Sequence, residues 1–207
     1  MDYRRLNAVT RRDSFPMPRV DEMLDVLGGH SYFSVLDAAA GYHQIPLEHE
    51  SGLKATVVTP ENAYKWNVVS FGLTGAPAHF QRVMNRVLEG QINKHVMCYI
   101  DDIIVFSKTW EEHLLHLQEV LEALRKVNLR VKRKKCQLGM NEVTYLGHVV
   151  NGQGVKMNET LVRDIVRCEE PRNAKELQSF LGLSGYYRRF VKDYAIIASP
   201  LHDLLRK

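Results

Sequence analysis

The stretch VMCYIDDIIVF, residues 96–106, places two adjacent aspartates, Asp101 and Asp102, inside an otherwise apolar run. β-Branched and aromatic residues on both sides predict two short strands with the aspartates at the turn between them. Two neighbouring carboxylates are costly to bury without a compensating positive group, and a divalent metal such as Mg²⁺ binds carboxylate oxygens well. A solvated turn explains the same pair, because Asp is a common turn residue. This stretch by itself leaves both interpretations open.

The composition of the 207 residues, 45% hydrophobic and 25% charged, is typical of a globular protein. The three cysteines, Cys98, Cys136 and Cys168, are widely spaced and form neither a zinc-binding nor a disulfide pattern. We therefore expect a reducing, intracellular and cytoplasmic location. We expect no membrane partner, because no apolar stretch is long enough to cross a bilayer.

A basic segment, residues 123–141, contains no acidic residue in a chain of net charge +4. Its cations are Arg125, Lys126, Arg130, Lys132, Arg133, Lys134 and Lys135. Such a local field suits a polyanion such as a nucleic acid. Part of the segment is equally explained by cations near the carbonyls at the end of a helix.

The predicted elements mix helices and strands without regular alternation, which is typical of an α+β fold. Helices are predicted over 21–27, 78–88 and 111–127, a strand over 32–36, hairpins over 54–69 and 143–157, and further helices after residue 157. Prolines predict extended backbone in residues 4–20. Within 111–127, an apolar stripe is predicted to pack in the core and consists of Leu114, Leu117, Leu121 and Leu124.

A third carboxylate, Asp37, ends the apolar strand 32–36. If that strand neighbours the strands of 96–106, Asp37 and Asp101 can face a shared pair of metal ions. Paired metal ions held by carboxylates serve phosphoryl and nucleotidyl transfer. The spacing of the carboxylates does not separate a polymerase from a metal-dependent nuclease.

Ordered motifs along the chain resemble the reverse transcriptases, and more narrowly those of Gypsy-type long-terminal-repeat retrotransposons. The motifs are DYRRLN at 2–7, LDAAAGYHQI at 36–45, FGLTGAPAHF at 71–80, YIDD at 99–102, YLGH at 145–148 and FLGLSGYYRRF at 180–190. The resemblance implies a right-hand polymerase, with an antiparallel palm sheet packed on helices, partial fingers and a helical thumb. It implies fingers over 1–28 and 46–75, a palm with a primer-grip hairpin over 29–45 and 76–157, and a thumb over 158–207.

The resemblance also implies an RNA-directed DNA polymerase that transfers deoxynucleotides from dNTPs to a primer annealed to an RNA or DNA template. Asp37, Asp101 and Asp102 would be catalytic and, with the Ala38 carbonyl, would bind two Mg²⁺ ions, with Mn²⁺ as an alternative. Tyr42 would act as a gate against the ribose 2′-OH.

Other binding residues follow from the same resemblance. The nucleotide site would add Phe71, Gly72 and Tyr99. The primer grip would consist of Tyr145, Leu146, Gly147 and His148. The template–primer duplex would contact Arg4, Gln178, Gly182 and Tyr186. Phe71 stands where retroviral relatives carry Gln, so a polar contact to the sugar is expected to be absent.

The family's first fingers hairpin, with a Lys and an Arg that clamp the triphosphate, lies upstream of the segment matched by residues 2–7. We therefore expect this chain to lack those cations and to be part of a longer Pol polyprotein with ribonuclease H and integrase (endonuclease) regions, whose element would form virus-like particles. A second hypothesis is a catalytically silent remnant that binds nucleic acid. A metal-dependent nuclease is a third, although the gate and the primer grip have no role in one.

Overall fold

The computed structural model describes residues 2–206, so the outermost residues of the predicted fingers and thumb, 1 and 207, lie outside it. The helices are α1 (Arg4–Val9), α2 (Val20–Leu27), α3 (His49–Lys54), α4 (Ala76–Val87), α5 (Trp110–Lys126), α6 (Glu159–Val166), α7 (Ala174–Gly185) and α8 (Tyr194–Asp203). The strands are β1 (Tyr32–Asp37), β2 (Val57–Val58), β3 (Ala63–Tyr64), β4 (Val96–Tyr99), β5 (Asp102–Ser107), β6 (Gln137–Met140), β7 (Glu142–Tyr145), β8 (His148–Asn151) and β9 (Gly154–Met157).

The chain divides into two compact units. The first runs to Leu146 and includes Val150–Gly154, and the second contains Gly147–Val149 and the residues from Val155 onward. A three-stranded sheet has the order β7-β8-β9, and β2 pairs with β3 in a short hairpin. Together with the helices, these antiparallel elements confirm the α+β class predicted from the sequence.

The main sheet of the first unit has the strand order β4-β5-β1-β6, with antiparallel pairing throughout. The two central strands, β1 and β5, are buried along almost their whole length because their residues are apolar on both faces. Helices α4 and α5 pack on this sheet. The core between them includes Leu36, Phe80, Met84, Val96, Ile103, Val105, Val120 and Leu124.

Helix α5 begins at a capping box in which Thr109 Oγ1 accepts from the Glu112 amide and the Glu112 carboxylate accepts from the Thr109 amide. The predicted core stripe of α5 is wrong for two leucines: Leu114 is 49% exposed and Leu121 is 39% exposed. Another face of the helix points inward, because the ring of His113 is buried and bonded to two serine hydroxyls of the sheet.

Two further predictions differ from the structure. Residues 4–9 form helix α1 and not extended backbone, and the hydroxyl of the preceding Tyr3 is bonded to the Ala55 carbonyl at 3.1 Å. The prolines that suggested an extended chain lie beyond this helix. The hairpin predicted over 54–69 is reduced to β2 and β3, with helix α3 before it, and strand β6 was not anticipated because its residues are mostly exposed at the sheet edge.

The second unit is built from helices, as predicted for the residues after 157. Asn158 and Asn173 cap α6 and α7, each accepting a backbone N–H of the first turn at its side-chain oxygen. A small core forms between Leu177 and Leu181 of α7 and Ala198 of α8. Within residues 2–206, no helix is both long and apolar enough to span a membrane.

Candidate active site

The main sheet brings the three predicted catalytic aspartates together at one end of its central strands. The β1–β5 register places Asp37 directly opposite Asp102, and Tyr99 of β4 pairs with Asp102 from the other side. Asp101 lies in the turn between β4 and β5, where its carbonyl accepts from the Ala38 amide at 3.0 Å. Strand pairing therefore gathers residues that are far apart in sequence, as the alternation of apolar strand and terminal aspartate suggested.

Burial and mutual repulsion shift the pKa values of the carboxylates at this end of the sheet. Burial, followed by the charges of Asp102 and Asp37, raises the pKa of Asp101 to about 6. Burial and then Asp37 also raise the pKa of Asp102. Lys135 opposes this repulsion, because its ammonium donates to Asp37 Oδ2 at 2.9 Å. The Asp101 atom Oδ1 is buried and has no hydrogen-bond partner.

The carboxylates suit a hard divalent cation in their donor chemistry. They supply oxygen ligands and include the unpartnered Asp101 Oδ1, and Gly41 leaves room there, since a Cβ on Gly41 would collide with that atom. Within residues 2–206, however, no three His, Cys, Asp or Glu side chains are already converged on a metal position. The fit therefore lies in the type of ligand, and the ligands are not preassembled.

The predicted nucleotide residues surround an aromatic cluster beside the aspartates. Tyr42 follows the left-handed Ala40 in a 3₁₀ turn, and its ring makes edge contacts with Phe71 at 5.1 Å and Phe80 at 5.6 Å between centroids. Phe71 is 49% exposed, so part of its ring is open to a ligand. Gly72 has a φ of +90°, which favours glycine, and its carbonyl accepts from Asn7 Nδ2 at 2.8 Å.

The four predicted primer-grip residues differ in their exposure. Tyr145 is 1% exposed, and its hydroxyl donates to the Asp102 carbonyl at 3.2 Å, so this side chain contacts the strand that carries Asp102. Its role in a primer grip stays a prediction. His148 is also buried and, within the second unit, packs against the ring of Tyr187. Only Leu146 and Gly147, both with positive φ at the turn, retain accessible surface.

The predicted template–primer residues lie on open surfaces. Gln178 and Gly182 are exposed on α7, each next in sequence to the buried Leu177 or Leu181, and Tyr186 follows the helix with 42% of its surface exposed. In the first unit, the highly exposed guanidinium of Arg4 pairs with Asp2 at 2.6 Å. These positions are compatible with the predicted contacts, which stay predictions.

Part of the basic segment is fixed beside the aspartates by its backbone. The Lys132 amide donates to the Asp37 carbonyl at 2.8 Å, and the Ala39 amide donates to the Arg130 carbonyl at 2.9 Å. Gln44 bonds both the amide and the carbonyl of Arg130, at 2.7 and 2.9 Å. The backbone of Arg130 and Lys132 therefore lies beside the strand end that carries Asp37, and the Lys135 ammonium reaches the Asp37 carboxylate.

Comparison with known proteins identifies the family. A family model described as reverse transcriptase (RNA-dependent DNA polymerase) matches residues 1–150. The chain belongs to the reverse transcriptase family. It is 43% identical over 207 residues to the Retrovirus-related Pol polyprotein from transposon 297 of Drosophila melanogaster and 38% identical over 206 residues to that from transposon gypsy, and it spans about a fifth of each (20%). These relatives confirm the predicted Gypsy-type resemblance.

Solved reverse transcriptases have the same fold. The foamy viral protease-reverse transcriptase in complex with an RNA/DNA hybrid matches with a TM-score of 0.87 and 28% identity over 99% of this chain and 28% of that chain. The dRH form of that protein in complex with double-stranded DNA matches with a TM-score of 0.90 and 28% identity over 99% of this chain and 36% of that chain. The fold class implied by the sequence motifs is thereby confirmed.

Three residues of this reverse transcriptase site were missed in the sequence. Gln81 of α4 clamps the aspartate turn through bonds to the Ile100 amide and the Cys98 carbonyl, but an amide inside a helix carries no signal of that role. In the sequence, Lys135 is only one cation of the basic segment. Gly41 lies within a quoted motif, and its need for a small side chain becomes visible only when Asp101 is placed beside it.

Proposed function

We propose that this reverse transcriptase domain is the core of an RNA-directed DNA polymerase that adds deoxynucleotides to a primer annealed on an RNA or DNA template. The observation that carries the proposal is the pairing of Asp37 opposite Asp102, with Asp101 beside them, at one end of the central strands. The solved relatives, which hold an RNA/DNA hybrid and double-stranded DNA, support a template–primer duplex as the partner. Ribonuclease H and integrase regions of a Pol polyprotein are proposed as covalent partners, in keeping with the relatives' length.

Asp37, Asp101 and Asp102, with the Ala38 carbonyl, would hold two Mg²⁺ ions, or Mn²⁺ in their place. When bound, such ions activate the primer 3′-OH and neutralise charge on the phosphates. The chain's own contribution begins with protonation: because the pKa of Asp101 is about 6, its carboxylate is ionised near neutral pH and available as a ligand. Strand pairing holds Asp37 opposite Asp102, and the turn between β4 and β5 carries Asp101 beside them.

Sugar selection is assigned to the aromatic cluster. The edge contacts of Tyr42 with Phe71 and Phe80 hold the tyrosine ring beside the aspartates. A fixed ring at that position would leave no room for a ribose 2′-OH, so a deoxynucleotide is favoured. Burial, followed by the charge of Asp101, raises the pKa of Tyr42, so the gate remains a neutral phenol.

The duplex is assigned to two surfaces, one in each unit. Residues 130–135 present cations beside the aspartates, and the open face of α7 presents Gln178 and Gly182. Such contacts position a backbone without reading sequence, and binding should weaken steeply with salt.

The division of the chain into subdomains is also a proposal. It assigns fingers to 1–28 and 46–75, palm to 29–45 and 76–157, and thumb to 158–207. The palm range contains all three aspartates and the aromatic residue Tyr42. Limited proteolysis in the presence and absence of duplex would test it, because cuts should concentrate near residue 157.

Primer extension by this chain on a primed RNA template with Mg²⁺ tests the polymerase. We expect Asp101→Asn to lose primer extension and to keep duplex binding, which is measured by filter retention. Asp164→Asn, the same change at an exposed position on α6, is the matched control and should extend normally. Extension by Asp101→Asn at the wild-type rate would contradict the proposal.

A second candidate function, a silent nucleic-acid-binding domain, is favoured by the ion pair of Lys135 with Asp37, which occupies one of the three carboxylates. It predicts salt-sensitive duplex binding with no extension by the wild-type chain. Incubation of labelled hybrid with Mg²⁺ and no nucleotides separates both candidates from a nuclease, which would shorten the strands.

A further inference from the structure

Lys135 is joined to Asp37 at the atom where a metal ligand is expected. Its Nζ lies 2.9 Å from Asp37 Oδ2, and the two side chains are 56% and 21% exposed. Lys135 belongs to the 3₁₀ turn Arg133–Lys135, which directly precedes the edge strand β6. The only positive group bonded to the three aspartates among residues 2–206 is therefore a lysine.

The backbone holds this lysine in reach. The Lys132 amide donates to the Asp37 carbonyl, and the Lys135 amide donates to the Lys132 carbonyl, both at 2.8 Å. The turn that carries Lys135 is thus tied to the residue whose carboxylate the lysine bonds. The ammonium, in contrast, sits on a flexible and half-exposed stem that can move without disturbing the core.

We propose that Lys135 is a resident counter-ion of Asp37 that competes with divalent cations, so that metal binding at the aspartates requires its ammonium to leave Asp37 Oδ2. The inference rests on the proposed function in one respect, namely that the aspartates bind metal. The three aspartates are not equivalent as metal ligands. One of them already has a cation partner, and two cations at one carboxylate oxygen repel each other.

Competition and assistance make opposite predictions. If Lys135 competes, its removal frees Asp37 Oδ2 and tightens metal binding. If Lys135 instead orients Asp37 for the metal, its removal weakens binding. The side chain of Lys135 is solvated, so the change in affinity is expected to be modest, about two- to fivefold.

Mn²⁺ binding is measured without nucleotide or nucleic acid, as the loss of the electron paramagnetic resonance signal of free Mn²⁺. This readout does not depend on polymerase activity. The variants are Lys135→Met, Lys134→Met, Asp37→Asn and the double variant Asp37→Asn with Lys135→Met. Lys134 is the matched control, because it is an exposed neighbour with no hydrogen bond or ion pair among residues 2–206. Circular dichroism checks that each variant is folded.

We expect Lys135→Met to lower the dissociation constant about two- to fivefold, and Lys134→Met to change it by clearly less. In the Asp37→Asn background, Lys135→Met should give no tightening. Unchanged or weaker binding by Lys135→Met overturns the inference, as does an equal gain in Lys134→Met or a gain that persists without the Asp37 carboxylate. If neither the wild type nor Lys135→Met binds Mn²⁺, the metal role in the proposed function fails too. If the wild type binds and Lys135→Met gains nothing, only the inference fails.

Discussion

Gln81 Oε1 accepts a 2.7 Å hydrogen bond from the amide of Ile100, the residue that precedes the aspartate pair. Ile100 has a φ of +54°, a left-handed conformation that is strained for a β-branched residue. The same Gln81 side chain donates from Nε2 to the Cys98 carbonyl at 2.9 Å. One buried amide therefore holds both sides of a strained turn and fixes where Asp101 points.

Replacing Gln81 with leucine should destabilise the protein by about 2–4 kcal/mol, because it leaves a buried amide and a buried carbonyl without partners. Urea unfolding measures the loss. Primer extension should fall as well, since Asp101 loses its fixed position. Gln118→Leu on the exposed face of α5 makes the same chemical change and should stay within about 0.5 kcal/mol of wild type. Equal effects at both sites would show that the clamp has no special role.

Gly41 should not tolerate a methyl group. An alanine Cβ would collide with Asp101 Oδ1 and approach Phe80, so we expect Gly41→Ala to cost about 1–3 kcal/mol and to reduce extension. Gly182→Ala is the contrasting variant, because a Cβ there meets no atom within 4 Å and alanine favours the helix by about 1 kcal/mol. Thermal unfolding should shift in opposite directions for the two variants. A stabilised Gly41→Ala protein would refute the close approach.

The charge of Asp101 should destabilise the fold above pH 6. Its pKa is about 6 in the folded state, against an ordinary value of 3.8, so the folded state binds more protons between these values and stability falls as pH rises through that window. Asp101→Asn removes this loss and should gain about 1 kcal/mol at pH 7.5, after screening of a half-exposed group. The gain should vanish below about pH 4. Denaturant unfolding across this pH range measures the gain. A gain of the same size at every pH would contradict the assignment.

Much of the fold and site was predictable because it depends on local chemistry. The apolar strands with terminal aspartates are visible in the sequence, and the sheet register then brings Asp37 to Asp102. Contacts between residues distant in sequence were not predictable: the burial of Tyr145 and its hydrogen bond to the Asp102 carbonyl follow only from the folded sheet. The α5 stripe failed at Leu114 for the same reason, since the sheet's serines select His113 for the inward face over this more hydrophobic residue.

His113 should make the first unit sensitive to acid. Its ring is fully buried, with Nε2 at 2.7 Å from Ser34 Oγ and Nδ1 at 3.0 Å from Ser107 Oγ. Burial, and then the charge of His116, lowers the pKa of His113 below its ordinary value of 6.5. The unfolded chain therefore binds the proton more readily, so stability is complete above pH 6.5 and is lost as pH falls toward the lower folded pKa.

The variant His113→Gln isolates this effect, since glutamine can bond the serine hydroxyls but does not titrate. It should cost about 1–2 kcal/mol at pH 8 from imperfect hydrogen bonds, and the difference from wild type should shrink as pH falls below 6.5. His202→Gln, at an exposed position on α8, is the control and should leave the pH profile unchanged. Because Asp101 titrates in the opposite sense, the comparison is made between variants at each pH. A constant difference between His113→Gln and wild type from pH 5 to pH 8 would show that the buried ring does not lose stability on protonation.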